Sequence, residues 1–332
     1  MNEIIFRAMG SEIFCAVDSE RTSVRERLER APAMFEAWEK TLSRFRADSE
    51  LSQLNERSGE SVRVSETLWR VLQSAQRAES WSDGLVTPLI LNALEAAGYA
   101  RDFAEMQTQQ ETRDFDAAAF GDYARRAHSL MRSVSPVSVR ERFLREGDVV
   151  NTMARWELNP TTYSVCVERG ARLDLGGVAK GWAAEQTARY LGEIGAALVD
   201  AGGDMVMTAP PADGAWHIGI ENPFAPDEDD APILKIARGA VATSGRDFRK
   251  WTRDGKPAHH LIDPRSGLPA VTDVLTATVI APTIFQAEVA AKVALLLGSR
   301  DGCAWLEARD LAARVILENG TSLSTTGMEN FL

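Results

Sequence analysis

The segment Leu173-Asp174-Leu175-Gly176-Gly177-Val178-Ala179-Lys180-Gly181 constrains the fold more than any other: an alternating apolar run meets a glycine pair and passes straight into helix-forming residues. A strand that stops at a diglycine turn and restarts as a helix belongs to a mixed α and β architecture. The same turn is a place for an anion. Glycines let the backbone come close to a phosphate, a helix N-terminus carries partial positive charge, and Lys180 adds a full one. It is not a Walker A loop, because Gly181 rather than Ser or Thr follows Lys180, and it is not GxGxxG. Taken alone, it reads equally well as a tight structural turn with a salt-bridged Asp174.

The remaining signals place strands and helices in both halves of the chain. Ile13 to Val17, Ser164 to Val167, Arg172 to Leu175, Ala197 to Met207, Trp216 to Ile220 and Thr276 to Ala281 read as strands. Arg314 to Glu318 and Ser322 to Thr325 form a hairpin around Asn319-Gly320. Helices are expected over Ser23 to Phe45 with a break or second start at Pro32, and from an N-cap at Ser65 to just before Gly84. Further helices run over Pro88 to Ala97, Ala179 to Ile194, and Ile284 to Leu297, stopped by Gly98, Gly195 and Gly298. Residues 101 to 150 show no usable stripe and read as a variable connector or insertion, and the acidic run Pro226-Asp227-Glu228-Asp229-Asp230 as a solvated loop. Strict βαβ alternation is missing, so the class is α+β rather than a doubly wound sheet. The whole of 1–332 is read as a single unit.

Charge and composition exclude several functions. With 48 acidic against 37 basic residues and a formal charge of −11, the surface offers no general attraction to nucleic acid or anionic lipid. Cys15, Cys166 and Cys303 are far apart and His128, His217, His259 and His260 have no ligand spacing, so neither a disulfide framework nor a thiolate or imidazole metal site is indicated. No apolar run reaches membrane-spanning length, and the start of the chain has neither the basic residues nor the apolar stretch of a signal peptide. The chain as it stands reads as cytoplasmic, or as the trimmed form of an exported protein.

Three more segments carry possible chemistry. His259-His260-Leu261-Ile262-Asp263-Pro264-Arg265-Ser266-Gly267-Leu268-Pro269 gathers titratable groups around a turn, and Thr243-Ser244-Gly245 ends a strand with small hydroxyls and glycine. Glu288 and Lys292 stand four apart on one helix among small apolar residues, a spacing that suits an ion pair, exposed or partly buried.

In order along the chain, Met9-Gly10, Leu42-Ser43-Arg44-Phe45, Asp48-Ser49-Glu50-Leu51-Ser52, Leu54-Asn55, Asp83-Gly84, Asp174 to Gly181, Gly202-Gly203-Asp204, Thr243-Ser244-Gly245, His260 to Gly267 and Ala287 to Gly298 resemble the ApbE family of FAD:protein FMN transferases. The likeness covers nearly the whole chain except 101 to 150. It implies two similar halves with mixed or antiparallel sheets, flanking helices and a ligand cleft between them. It further implies magnesium-assisted cleavage of FAD, with FMN attached through a phosphoester to a Thr or Ser of an acceptor flavoprotein.

Carried over by resemblance, the cofactor-binding residues are Met9, Phe45, Leu85, Val86, Thr87, Asp174, Lys180, Ser244, Gly245, His260, Leu261 and Ile262. His260, Glu288 and Lys292 would be catalytic, and Gly177, Glu288, Ala291 and Lys292 would form the magnesium site. The chain departs from the family's pattern there: Glu288 stands for an Asp and Lys292 for a Thr, and an ammonium cannot ligate a metal. Phe45 replaces the usual Tyr or Trp, and Val86-Thr87-Pro88-Leu89 lacks the family's acid. Three readings stay open at this point: a transferase with a rebuilt cation site, a flavin-binding relative in which Lys292 replaces the metal and transfer is lost, or an interaction protein with a vestigial pocket.

Overall fold

The computed structural model describes residues 1–103, 105–106, 154–225, 232–253 and 256–332. The acidic run at 226–230 and nearly all of the 101–150 connector lie outside these residues.

Eight strands form one antiparallel meander: β1 (Asn2–Ala8), β2 (Ser11–Asp18), β3 (Ala196–Ala201), β4 (Asp204–Met207), β5 (Gly239–Gly245), β6 (Val274–Ala281), β7 (Ala312–Leu317) and β8 (Ser322–Ser324), adjacent in that order. Each neighbouring pair is antiparallel. The α+β class is thus observed, with both halves of the chain contributing to one continuous sheet. Side chains alternate faces along each strand. In β2, Ile13, Cys15 and Val17 pack under helices α1 (Val24–Leu42) and α5 (Ala179–Gly192), while Ala16 faces the opposite side. That opposite face is covered by the hairpin of Trp216–Gly219 with Ile233–Ile236 and by Met328 near the C-terminus.

On the helical face, α6 (Ile284–Glu307) lies against β5 and β6 with Ala287, Ala290, Ala291 and Ala294 fully or almost fully buried, small side chains that let the helix approach the sheet closely. Helices α2 (Glu50–Glu56), α3 (Glu66–Trp81) and α4 (Leu91–Ala96) and the small sheet of Ser61–Arg63, Ser164–Val167 and Trp156–Asn159 complete this layer. Among the described residues no helix is long and apolar enough to cross a membrane.

Four sequence expectations change. Arg172 to Leu175 is not a strand: Leu173 gives both backbone groups to the Asn55 side chain, at 2.7 and 2.9 Å, and Asp174 N–H bonds the Pro88 carbonyl. Ala197 to Met207 is two strands, because Gly202 and Gly203 sit at φ 67° and 91° and turn the chain between β3 and β4. Pro32 lies inside a continuous α1 rather than breaking it. Gly298, at φ 81° and ψ 172°, does end the regular helix from Ile284, but a second helical stretch follows at once. The N-terminal β1 carries no clear signal in the sequence, since its exposed edge position leaves its alternation weak.

Candidate active site

One end of the sheet carries two adjacent two-residue turns, Met9-Gly10 between β1 and β2 and Gly202-Gly203 between β3 and β4. A Cβ on Gly202 would stand 2.6 Å from Ser11 Oγ, so only glycine lets the turns meet. Met9 is one of few non-glycine residues with positive φ, at 51°, and its N–H donates to Glu39 Oε2 at 3.0 Å. Beside these turns opens a cavity of about 810 Å³, in the range of small-molecule and cofactor sites.

Of the residues singled out from the sequence, Met9, Phe45, Leu85, Val86, Thr87, Asp174, Gly177, Lys180, Ser244, Gly245, His260, Leu261, Ile262 and Lys292 line this cavity. Glu288 and Ala291 do not; both are buried behind it in α6. The Thr87 hydroxyl is turned to structure, donating to Glu79 Oε1 at 2.6 Å.

One wall is aromatic. Tyr99 stacks on Trp251 with ring centroids 5.3 Å apart, meets Phe45 edge-on at 5.7 Å, and has His260 beside it. The Arg44 guanidinium lies over both the Phe45 and Tyr99 rings, at 4.0 and 4.6 Å. Its side chain is only 5% exposed, its Nε pairs with Asp174 Oδ2 at 2.7 Å, and its Nη2 is buried without a hydrogen-bond partner. Asp174 gives its other oxygen to Gly176 N–H at 2.9 Å. The diglycine turn therefore holds itself: Gly176 N–H is taken by Asp174, and the N–H groups of Val178 and Ala179 both bond the Leu175 carbonyl.

The floor carries the charge. Lys180 pairs with the buried Asp204 and also reaches the Ala201 carbonyl at 3.4 Å. Lys292 Nζ lies 3.2 Å from Glu288 Oε1 and 3.4 Å from the Glu288 carbonyl. Burial pushes the Glu288 carboxyl upward and the Lys292 ammonium opposes that shift. The carboxylate has room because residue 181 is glycine: a Cβ there would come within 2.4 Å of Glu288 Oε2.

The histidine pair divides its tasks. His259 is buried, with Nε2 3.0 Å from the Ala270 carbonyl and Nδ1 accepting from Leu261 N–H at 3.3 Å, which requires the proton on Nε2. Burial, with Arg246 adding to it, lowers its pKa to about 4. His260 reaches the cavity, and its Nδ1 faces the Arg249 carbonyl at 3.4 Å. Burial and then the Arg249 charge hold His260 well below the usual imidazole range, so it is neutral at neutral pH.

Arg44, Tyr99 and Asp204 are among the cavity-lining residues not named as site residues from the sequence, and Trp251 stands behind Tyr99. Arg44 and Asp204 sit inside recognisable motifs, next to Phe45 and Gly203. Tyr99 and Trp251 are lone aromatics whose pairing spans 152 positions, and no local pattern announces it.

The FAD:protein FMN transferase of Treponema pallidum (strain Nichols) is 29% identical over 295 residues, covering 85% of this chain and 74% of that protein. One from Klebsiella pneumoniae (strain 342) is 35% identical over 166 residues, and the matched part spans 49% of this chain and about half, 51%, of the relative. Among solved structures, the ApbE protein of Thermotoga maritima superposes with a TM-score of 0.78 at 22% identity, covering 99% of this chain and 98% of that one. The flavin transferase ApbE of Vibrio cholerae gives a TM-score of 0.71 at 21% identity, covering 100% and 99%. The model of the ApbE family matches residues 9–316, nearly the whole sequence, and the chain belongs to that family.

Proposed function

We propose that this protein is an FAD:protein FMN transferase: it binds FAD in the 810 Å³ cavity and passes the FMN half to a Thr or Ser of an acceptor flavoprotein. The observation that carries this is the joining, in one cavity, of an aromatic wall at Phe45 and Tyr99 to a floor holding Lys180 and Lys292. A dinucleotide with a planar ring system and a pyrophosphate asks for both. Family membership over residues 9–316 and the names of the curated relatives support the same reading.

In the transfer, the acceptor hydroxyl oxygen bonds to the phosphorus of the FMN half, the bond from that phosphorus to the bridging oxygen breaks, and AMP departs with the electron pair. The hydroxyl proton needs an acceptor. His260 is held neutral, and the Arg249 carbonyl keeps its proton on Nδ1, leaving Nε2 as the basic atom. Lys180 and Lys292 offset the charge that grows on the departing phosphate. Phe45 and Tyr99, with Arg44 over both rings, form the aromatic end that meets the flavin, Leu85, Val86, Leu261 and Ile262 supply its apolar surroundings, and Met9 meets it from the hairpin turn. Asp174 acts through Arg44 and the turn at Gly176, both of which it holds.

Magnesium fits this set poorly. Of the residues assigned to it by resemblance, Glu288 has its carboxylate and carbonyl facing the Lys292 ammonium, Ala291 is fully buried, and Lys292 is itself a cation. Among the described residues no group of three or more His, Cys, Asp or Glu could hold a metal ion. The steps above therefore run on the chain's own residues.

The test is to incubate the protein with FAD and a flavoprotein domain bearing an acceptor Thr, then to read covalent flavin by in-gel fluorescence and intact mass. Release of AMP in step with an acceptor gain of one FMN is the expected result. FAD that binds without labelling the acceptor would reduce the function to flavin binding, and no binding at all would refute the reading.

A further inference from the structure

Resting on the reading of the cavity as an FAD site, we propose that the Lys292 ammonium is the built-in cation of its phosphate end, occupying the oxygens a divalent ion would need, so that dinucleotide binding here is independent of magnesium. Lys292 lines the cavity, with its side chain 17% exposed, while its partner Glu288 is 4% exposed and lies behind it. The lysine stem lies along the diglycine turn: its Cε is 3.6 Å from where a Cβ on Gly177 would be. The ammonium reaches two hard oxygens of one residue, the carboxylate and the carbonyl of Glu288.

Glu288 cannot readily turn elsewhere. Its carboxylate occupies the space left by the missing side chain of Gly181, wedged against the start of α5. The next carboxylate on the floor, Asp204, is held by Lys180 in the same manner. A divalent ion entering here would have to displace one ammonium and sit beside another, and it would find carboxylates that already have partners. An ammonium carries three donors, and Lys292 has protein oxygens for two, leaving one to meet a phosphate oxygen.

The experiment measures the affinities of FAD, ADP and riboflavin by flavin fluorescence and calorimetry, with magnesium and with EDTA, for the wild type, Lys292→Gln and Lys292→Arg. The wild type should bind FAD equally under both conditions. Lys292→Gln should weaken FAD and ADP roughly tenfold or more and leave riboflavin unchanged, since only phosphate-bearing ligands meet the ammonium. Lys292→Arg, which keeps the charge, should stay near wild type.

Wild-type FAD affinity that falls roughly tenfold in EDTA would overturn the proposal while leaving the FAD site intact. So would a Lys292→Gln protein that binds all three ligands normally and loses only thermal stability, which would make the pair purely structural. A wild type that binds neither FAD nor ADP in either condition refutes the functional reading and this inference with it.

Discussion

His259 gives the molecule a stability term with a defined sign in pH. Its ring is 3% exposed and serves as a clamp: Nε2–H donates to the Ala270 carbonyl and Nδ1 accepts from Leu261 N–H, while Ala270 N–H bonds the Leu261 carbonyl at 2.8 Å. Only the neutral ring satisfies both contacts. Protonation would set a second N–H against that of Leu261 and place a charge near Arg246, and the pKa is accordingly lowered from 6.5 to about 4. Between these values the unfolded chain binds a proton that the native protein refuses, so stability is complete above pH 6.5 and falls as pH drops toward 4. A shift of this size corresponds to about 3 kcal/mol, most of which is already lost at about pH 4.5. Other carboxylates and histidines titrate nearby, so the reading must be differential. His259→Gln keeps a donor and an acceptor but has no proton to gain. Urea unfolding followed by tryptophan fluorescence, at about pH 7.5 and about pH 4.5, should show the wild type losing about 2–3 kcal/mol more than the variant between the two conditions. Equal losses would show that the native ring charges freely and would refute the assignment of His259 as an obligatory neutral clamp.

Two substitutions probe the supports of the site. Gly181→Ala improves helix propensity by about 1 kcal/mol, yet its Cβ would stand 2.4 Å from Glu288 Oε2 and 3.0 Å from Ile284 Cγ1. A net loss of about 1–3 kcal/mol is expected in thermal unfolding, and an unchanged or raised melting temperature would mean that Glu288 moves without cost. Asn55→Ala removes the amide that pairs with both backbone groups of Leu173. It should cost about 2–4 kcal/mol and, by loosening the chain that carries Asp174, weaken FAD binding; stability loss with unchanged FAD affinity would separate Asn55 from the site.

What could be read from the sequence follows a physical division between local and distant causes. Helix ends were legible because capping is local: Ser65 Oγ accepts from Leu68 N–H, and Gly98 and Gly298 take the positive φ that stops a helix. Strand partners were not. Arg172 to Leu175 has the alternation of a strand, but its backbone partners are a side chain 118 residues earlier in the chain and the carbonyl of Pro88. Ala197 to Met207 reads as one strand, and the dihedrals of Gly202-Gly203 make its middle a hairpin turn, a possibility that two adjacent glycines contain. The site was legible where a motif is contiguous, as at Asp174 to Gly181 and His259 to Ile262. Arg44 escaped because its meaning lies in a sandwich between Phe45 and Tyr99 and a pairing with Asp174, three contacts of which only one is with a sequence neighbour.

The charge arithmetic of the floor explains how a chain of net charge −11 can hold a dianion at all. Lys180 with Asp204 and Lys292 with Glu288 form a quartet without net charge, so these two ammoniums together with their carboxylates add little long-range pull on a distant anion. Its grip must be short-ranged. Each ammonium has two protein oxygens within reach and therefore one donor left for ligand, fixed in place by the carboxylate it leans on. Two such donors are a modest anchor for phosphate, and the aromatic wall alone is a modest anchor for a ring. Binding becomes firm only when one ligand spans both ends, because the second contact is then intramolecular and adds to the first without a further loss of translational freedom. On the proposed reading, an acidic protein built this way should hold free phosphate and bare nucleobases weakly and the dinucleotide that joins a flat ring to a pyrophosphate firmly.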